Sequence, residues 1–482
     1  MIENKLRVGE PRLCRLIDGN PNTPEAVVML QDTGDAIETT FLLSGMARSD
    51  GPYDRWWSQG ICYGDDPDRE KYSYAPPSTM LLYDSGGCVV LVGCRATRGI
   101  NSLAAGTGIV VADFAVLGAK NIKYDRINGM RTESPAFLRW IRRTAIEADE
   151  TTDETGLLQS MRINLRETGS ISLSRKLKMS MRQRWGATSF PGRLDVRESL
   201  TLQSVVKQAR SWGEHLQLHV GVLDLVSIAA WRNCAFRSVH VSRADDPSKV
   251  KGVTCDRWNE VVTHVLPGED LTDCDGRFLF FYDDMPKSAV DKWFRLRDDY
   301  DRALGYVLKI LRSGHTRSIQ SAVMSGIALE QLGYLIEVEN GRKKQISFNH
   351  ALDVVLDDMY VVPLESKEDW KEWCNKVYMG AKHGNRPEPD HLMTLNVLRE
   401  NLLVLRYWIA QRLGVPGDVL NQNLVRDPLA RKWKYSYKTS PSRTGGRDRM
   451  MRERDWYLQS KCTTRGGQAS TFSVVGHLNT RS

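Results

Sequence analysis

The stretch RFLFFYDDMPKSAVDKWFRLRDDYDRALGYVLKILR, residues 277–312, holds the point at which the chain changes period. On its near side, RFLFFYDDM (277–285) is a short apolar block bounded by turn residues, the pattern of a buried strand. Past Pro286, Trp293, Leu296, Tyr300, Leu304, Val307 and Leu311 recur at three- and four-residue spacing. That is one apolar stripe on a helix of about six turns. Ser288 followed three residues later by Asp291 supplies a capping-box start.

Upstream of this point the chain reads as β-rich. TMLLYD (79–84), CVVLVGCR (88–95), GIVVADFAVLGA (108–119), SISLSRKLKMSM (170–181), HLQLHVGVLDLVS (215–227) and SVHVSR (238–243) are short apolar or alternating runs between Gly, Asp and Pro punctuation. They predict one or two antiparallel sheets, interrupted by a helix over PAFLRWIRRTAIE (135–147). Downstream, four more amphipathic segments follow: one after the Ser-Gly-His-Thr break at 313–316, one over 349–360, one opened by Ser366 and Asp369, and one over 392–413 stopped by Gly414 and Pro416. Five helices on short connections predict a bundle. The fold class is therefore α+β, with a β-rich domain over 1–285, a helical domain over 286–425 and a basic tail over 426–482.

Charge sets the tail apart. Residues 426–482 carry 13 Lys/Arg against 4 Asp/Glu, while the other 425 residues hold 54 basic and 55 acidic side chains. This segment is poor in aliphatics and expected to be disordered on its own. Lys432 and Lys434 are candidate phosphate ligands, with Trp433, Tyr435 or Tyr437 available to stack on bases. The plainer alternative is a solubilising tail.

Other features narrow the function by failing. No apolar run reaches the length of about 18 residues that a membrane span needs. The N-terminal MIENKLRVGEPRLCRLIDG is charged throughout, unlike a signal peptide, and a cytoplasmic protein is expected. Nine scattered cysteines without a C-x-x-C give neither a disulfide framework nor a zinc ribbon, and Cys88 and Cys94 read as core. GTGIVV (106–111) lacks the Gly-Lys-Ser/Thr of a phosphate loop and reads as a turn. HLQLH (215–219) has zinc-like spacing, but in a strand without a nearby Glu it predicts no metal site. Asp283 and Asp284 read as helix N-terminal charges, and no Gly-x-Ser-x-Gly elbow occurs.

One segment carries chemistry: KEWCNKVYMGAKHGNRPEPDH, 371–391. Gly384 and Pro387 end the helix, which puts His383 at its C-terminus. In a continuous helix Lys376 and His383, seven apart, lie within about 20° of one another around the axis. With Lys382 and Arg386 they place a proton shuttle among phosphate clamps, as a phosphodiester site requires. The plainer alternative is a solvated histidine complementing a helix end.

ALEQLGY (328–334), VYMGAKHGNRP (377–387) and LRYWIAQRLG (405–414) resemble the HEPN domain of ApeA-like anti-phage proteins. LVGCRATRGI (91–100), GTGIVVADFAVLGAKNI (106–122) and YDRINGMRTESPAFLRW (124–140) resemble the N-terminal domain of the same proteins. The resemblance implies an abortive-infection protein whose helical domain is a ribonuclease, cutting RNA (tRNA among the candidates) without a metal or other cofactor. HEPN nucleases use an arginine, four to six residues, then a histidine, with two protomers forming one composite site. His383 matches the histidine. The arginine positions hold Lys376, Val377 and Tyr378, so the motif departs from the family at its arginine. Lys376 keeps the charge without the bidentate fork. Glu330 resembles a polar residue directed at the motif histidine, and Tyr378 would stack on a base or pack in an interface. A homodimer or larger even-numbered homo-oligomer and a phage-encoded trigger are the implied partners, with no membrane. A catalytically degenerate HEPN scaffold is the alternative.

Overall fold

The computed structural model describes residues 4–19, 25–45, 51, 53–166, 169–266, 276–314, 317–342 and 344–434. The β-rich part runs β1 (Arg12–Ile17), β2 (Ala26–Asp32), β3 (Ile37–Leu43), β4 (Thr79–Asp84), β5 (Gly87–Val92), β6 (Arg95–Asn101), β7 (Gly106–Ala112), β8 (Phe114–Leu117) and β9 (Arg126–Glu133). After helix α1 (Pro135–Ile141) come β10 (Ile146–Thr152), β11 (Leu158–Leu165), β12 (Ser170–Ser174), β13 (Met179–Phe190) and β14 (Arg193–Ser211). Helix α2 (Trp212–Ala230) precedes β15 (Ser238–Ser242), β16 (Ser248–Val250), β17 (Val253–Cys255) and β18 (Asn259–Thr263). Fourteen strands join in one sheet, ordered β12-β13-β14-β9-β15-β18-β8-β5-β4-β1-β2-β3-β7-β6, while β10–β11 and β16–β17 are separate hairpins. Every ladder pairing is antiparallel.

The helical part follows as α3 (Ala289–Asp299), α4 (Asp301–Arg312), α5 (Ile319–Glu339), α6 (Phe348–Asp357), α7 (Lys367–Lys382), α8 (His391–Leu413) and α9 (Gly417–Leu424). An antiparallel sheet region followed by a helical region is the expected α+β class. Ser318, Ser347, Ser366 and Asp390 each cap the helix they precede, accepting a hydrogen bond from a first-turn amide. Gly414, at φ 92°, closes α8 in the left-handed conformation a side chain would resist.

Several expectations need correction. HLQLHVGVLDLVS is the body of α2, not a strand. Ser211 and Glu214 form a reciprocal capping box at its start, and from Gly221 to Ala230 every residue is buried. A helix buried on all sides shows no 3.6-residue stripe, so chance alternation of His, Leu and Val imitates a strand. RFLFFYDDM is not a strand either. Phe278 to Phe281 are all buried in a connector whose Leu279 amide donates to the Ala229 carbonyl at the end of α2 (2.8 Å). SISLSRKLKMSM is a hairpin, β12 turning into β13, and GTGIVV is the start of β7 rather than a turn. Gly93, at φ 74°, ends β5, so Cys94 is not on its strand; Cys94 is buried and Cys88 half-buried.

The stripe from Trp293 to Leu311 is divided at Tyr300 (φ −120°, ψ 27°) into α3 and α4. Tyr300 donates its hydroxyl to Glu339 (2.7 Å) and sets its ring edge-on to Trp408, contacts that need the kink. Ser288 makes no capping bond; Asp291 instead accepts from the Ser174 hydroxyl (2.6 Å).

Two parts of the molecule share one core. Apolar side chains of α1, α2 and β12–β14 pack in one cluster with those of α3–α9, so position 285 does not separate two cores. Polar contacts reinforce the joint. Trp293 Nε1 donates to the Gly221 carbonyl (2.7 Å), and buried Asp224 of α2 faces both Arg297 and Arg312. Arg406 of α8 is fully buried, with a two-pronged ion pair to Asp427 and donors to the Ile228 and Ala229 carbonyls that end α2. A separate core fills the region of β1–β8, around Leu16, Leu30, Phe41, Leu82 and Leu91.

Candidate functional site

Helix α7 is fixed on its inner side by Trp370, Cys374, Val377 and Tyr378, all buried. Trp370 Nε1 donates to Asn401 Oδ1 (2.9 Å), and Asn401 Nδ2 donates to Ser325 Oγ (3.0 Å), a polar chain that ties α7 to α8 and α5. Burial pushes the Cys374 thiol up to about 12, so it stays neutral. The last turn is held from outside by the segment after it. A side chain at Gly380 would meet the Pro387 carbonyl at 2.9 Å and Pro389 Cδ at 3.2 Å, so glycine allows residues 384–390 to fold back on the helix.

His383 is the C-cap of α7, solvent-exposed, its amide donating to the Met379 carbonyl (3.0 Å). Its backbone (φ −120°, ψ 110°) has left the helix. The change in φ from the helical value near −63° swings its Cβ off the stripe that Lys376 follows. The His383 Cα keeps the position that the helix gives it, but its side chain leaves at a different angle from a helical residue's, and Lys376, Lys382 and Arg386 are all exposed like the histidine. Arg386 turns back towards it, donating its amide to the His383 carbonyl (3.0 Å). The end of α7 thus presents His383, Lys382 and Arg386 on an open surface, with Lys376 about 10 Å back along the helix.

Tyr378 and Glu330 are placed differently from expectation. The Tyr378 ring is buried, lies 4.5 Å from Phe348, and occupies space that only a glycine at 326 leaves open. Its hydroxyl donates to Glu330 Oε2 (2.9 Å), and burial with that carboxylate pushes its pKa up. Glu330 is thus engaged by Tyr378, and the ring is a core contact rather than a platform for a base. Lys382 sits with its ammonium 5.3 Å from the same ring, on its solvent side.

The start of the tail is docked. Arg399 donates to the Leu429 and Ala430 carbonyls, and Asn396 and the Trp433 backbone exchange two hydrogen bonds. Lys432 is paired with Glu365 (2.9 Å) and Glu400 (3.3 Å), so its charge is already answered. The Arg317 guanidinium lies 4.7 Å over the Trp433 ring. Lys434 is exposed. Residues 426–434 thus belong to the fold, and Tyr435, Tyr437 and the rest of the basic segment lie outside the described residues.

HLQLH resolves into a hydrogen-bonded chain. Thr132 Oγ1 meets His219 Nδ1 (2.7 Å), His219 Nε2 meets Ser204 Oγ (2.9 Å), Ser204 Oγ meets His215 Nδ1 (2.6 Å), and His215 Nε2 meets the Ile127 carbonyl (3.3 Å). A carbonyl only accepts, so His215 carries its proton on Nε2, and each bond back to Thr132 then has one direction. Burial lowers the His219 pKa to about 3 and that of His215 in the same sense. Both rings are neutral structural links between α2 and the sheet. Among the described residues no three His, Cys, Asp or Glu side chains converge as a metal site would need.

Comparison with known proteins bears on the sheet-bearing part. The family model for ApeA N-terminal domain 1 matches residues 16–293, more than half of the chain. The chain belongs to that family. It is an ApeA-like anti-phage defence protein. The match takes in the sheet from the end of β1 onward, α2 and the first turn of α3, which agrees with their shared core; the helices bearing Glu330 and His383 lie beyond it. No curated protein and no solved structure matches. Among the described residues no helix is long and apolar enough to cross a membrane.

Proposed function

We propose that the helical part of this ApeA-like protein is a HEPN-type endoribonuclease acting in the cytoplasm during phage infection. In this mechanism the RNA 2′-OH attacks the adjacent phosphorus, and the 5′-oxygen leaves. His383 takes the proton from the nucleophile or returns one to the leaving group. Lys376, Lys382 and Arg386 hold the non-bridging oxygens as charge builds on them. The observation that carries the proposal is the position of His383: exposed at the end of α7, with Lys382 and Arg386 beside it and a glycine-dependent fold-back holding the turn. An open site of this kind suits a second protomer supplying the opposite wall, as the composite HEPN site requires. A phage-encoded trigger would act through the sheet-bearing part, which shares its core with the bundle.

A second function has its own support. Lys376 in place of arginine, and the departure of His383 from the Lys376 stripe, both suit a degenerate module that binds RNA or a partner without cutting. End-group analysis separates the two. A nuclease of this chemistry leaves 2′,3′-cyclic phosphate or its hydrolysis product and does not cut an all-DNA version of the same strand. Equal cutting of RNA and DNA would remove the 2′-OH as nucleophile, and no cutting at all would favour the binding module.

A further inference from the structure

The face of the sheet opposite α2 carries a second set of charged side chains. Directly paired residues share a face, and so do residues two apart on one strand. The register therefore places His240, Arg131, Gln203 and Ser180 in one row across β15, β9, β14 and β13. Ser238, Glu133, Thr201 and Arg182 form the next row, and Ser199 and Arg184 the one beyond. The alternate residues Thr132, Ser204, Leu202 and Met181 face the other way, the first two bonding the histidines of α2.

These outward side chains enclose a cavity of about 130 Å³, walled on one side by Trp258. The Arg131 guanidinium lies 3.6 Å from the centre of the Trp258 ring, and a side chain at Gly129 would strike that indole at 2.7 Å. The stacking holds the guanidinium flat and leaves its edge free. Its Nε donates to Gln203 (3.2 Å), but among the described residues no carboxylate pairs with Arg131 or Arg184. Burial, then the nearby Arg184 and Arg182, lowers the Arg131 pKa to about 10, with Asp256 acting in the opposite sense. Two guanidinium groups are thus held close together in a half-buried recess with hydroxyls from Ser199, Thr201 and Ser238 beside them.

We propose that this recess binds a phosphoryl group. Two forks and the Ser199 and Ser238 hydroxyls suit a tetrahedral oxyanion better than a planar carboxylate, which one fork satisfies; Thr201 donates its own proton to the Arg182 carbonyl (3.0 Å) and only lines the wall. The volume is about that of four water molecules, enough for a phosphoryl group and a few more atoms but not for a base as well. The rest of the ligand lies outside, across the β13–β14 strands. Glu133 is the one carboxylate in the lining, and its Oε1 lies 3.5 Å from Arg237. A carboxylate accepts only, so it repels sulfate but takes the O–H of a protonated phosphoryl group, which inorganic phosphate carries at neutral pH and a monoester carries below its second pKa of about 6. Glu133 is therefore a specificity residue. The phosphoryl group comes from a small phosphate ester or from the end of an RNA strand.

Calorimetry on the full chain at constant ionic strength tests the site, with inorganic phosphate, sulfate, AMP, and one RNA oligomer carrying either a 5′-phosphate or a 5′-hydroxyl. Phosphate should bind saturably and more tightly than sulfate, and Arg131→Gln or Arg184→Gln should each weaken it by roughly ten-fold or more. Glu133→Gln should narrow the gap between phosphate and sulfate. Tighter binding of AMP, without discrimination between the two oligomers, identifies the small ester; preference for the 5′-phosphorylated oligomer identifies the strand end. Arg184 is exposed, so its variant keeps the test valid if Arg131→Gln misfolds. No saturable binding of phosphate or AMP, sulfate binding as tightly as phosphate, or phosphate binding untouched by the Arg184→Gln change would overturn the proposal.

Discussion

Replacing Lys376 with arginine changes the head group and leaves the charge. The planar fork can hold two phosphate oxygens where an ammonium holds one point. Lys376→Arg should therefore preserve or raise the initial rate of RNA cleavage, while Lys376→Ala lowers it. Lys376 is exposed, so neither change should cost more than about 0.5 kcal/mol of stability. A rate unaffected by both would remove Lys376 from the site, which its separation from the His383 direction makes a pointed test. Tyr378 shows the limit of what a single residue type discloses. An aromatic beside a histidine and lysines suggests stacking on RNA, but Gly326, 52 positions earlier, opens the slot that buries it. Nothing local records that pairing.

At the scale of elements, α2 makes a pH prediction. His219 is neutral in the fold with its pKa lowered to about 3, against an ordinary value near 6.5. Below pH 6.5 the unfolded chain therefore takes up a proton that the folded chain refuses. Stability contributed by this group is complete above that pH and declines as pH falls towards 3, at up to about 1.4 kcal/mol per pH unit. Urea titrations between pH 7 and 4 should show the decline, and a His219→Leu variant, weaker at pH 7, should show a shallower one. An unchanged slope would mean that His219 is not the group responsible. The same helix shows why half of the pattern was legible. Helices α6 and α7 declare themselves because one face is wet, whereas α8, buried without a break from Val397 to Gln411, was legible from its length, its leucine repeat and its Gly414–Pro416 stop. A helix wrapped on all sides has no wet face, and the apolar connector at 278–281 looks like a strand for the same reason. The division of α3 from α4 is equally silent, since the apolar stripe continues across Tyr300.

At the scale of the whole molecule, the sheet and the bundle meet in a common core, pinned by Arg406, Asp427 and the end of α2. A change in the sheet that displaced α2 would act on α8 directly, the route by which the proposed trigger would reach the bundle. Nine of the 13 basic residues after position 425 lie beyond Lys434. Deleting 435–482 should weaken RNA binding and flatten its dependence on salt while both cores remain intact; an unchanged salt slope would give the tail another role. The most direct test of the nuclease proposal is purified wild-type and His383→Ala protein, each incubated with total RNA in EDTA. Wild type should cut, leaving cyclic or hydrolysed 3′ ends, and the variant, as stable as wild type, should not. Cutting that vanishes on chelation and returns with a divalent metal, or that continues undiminished without His383, would contradict it.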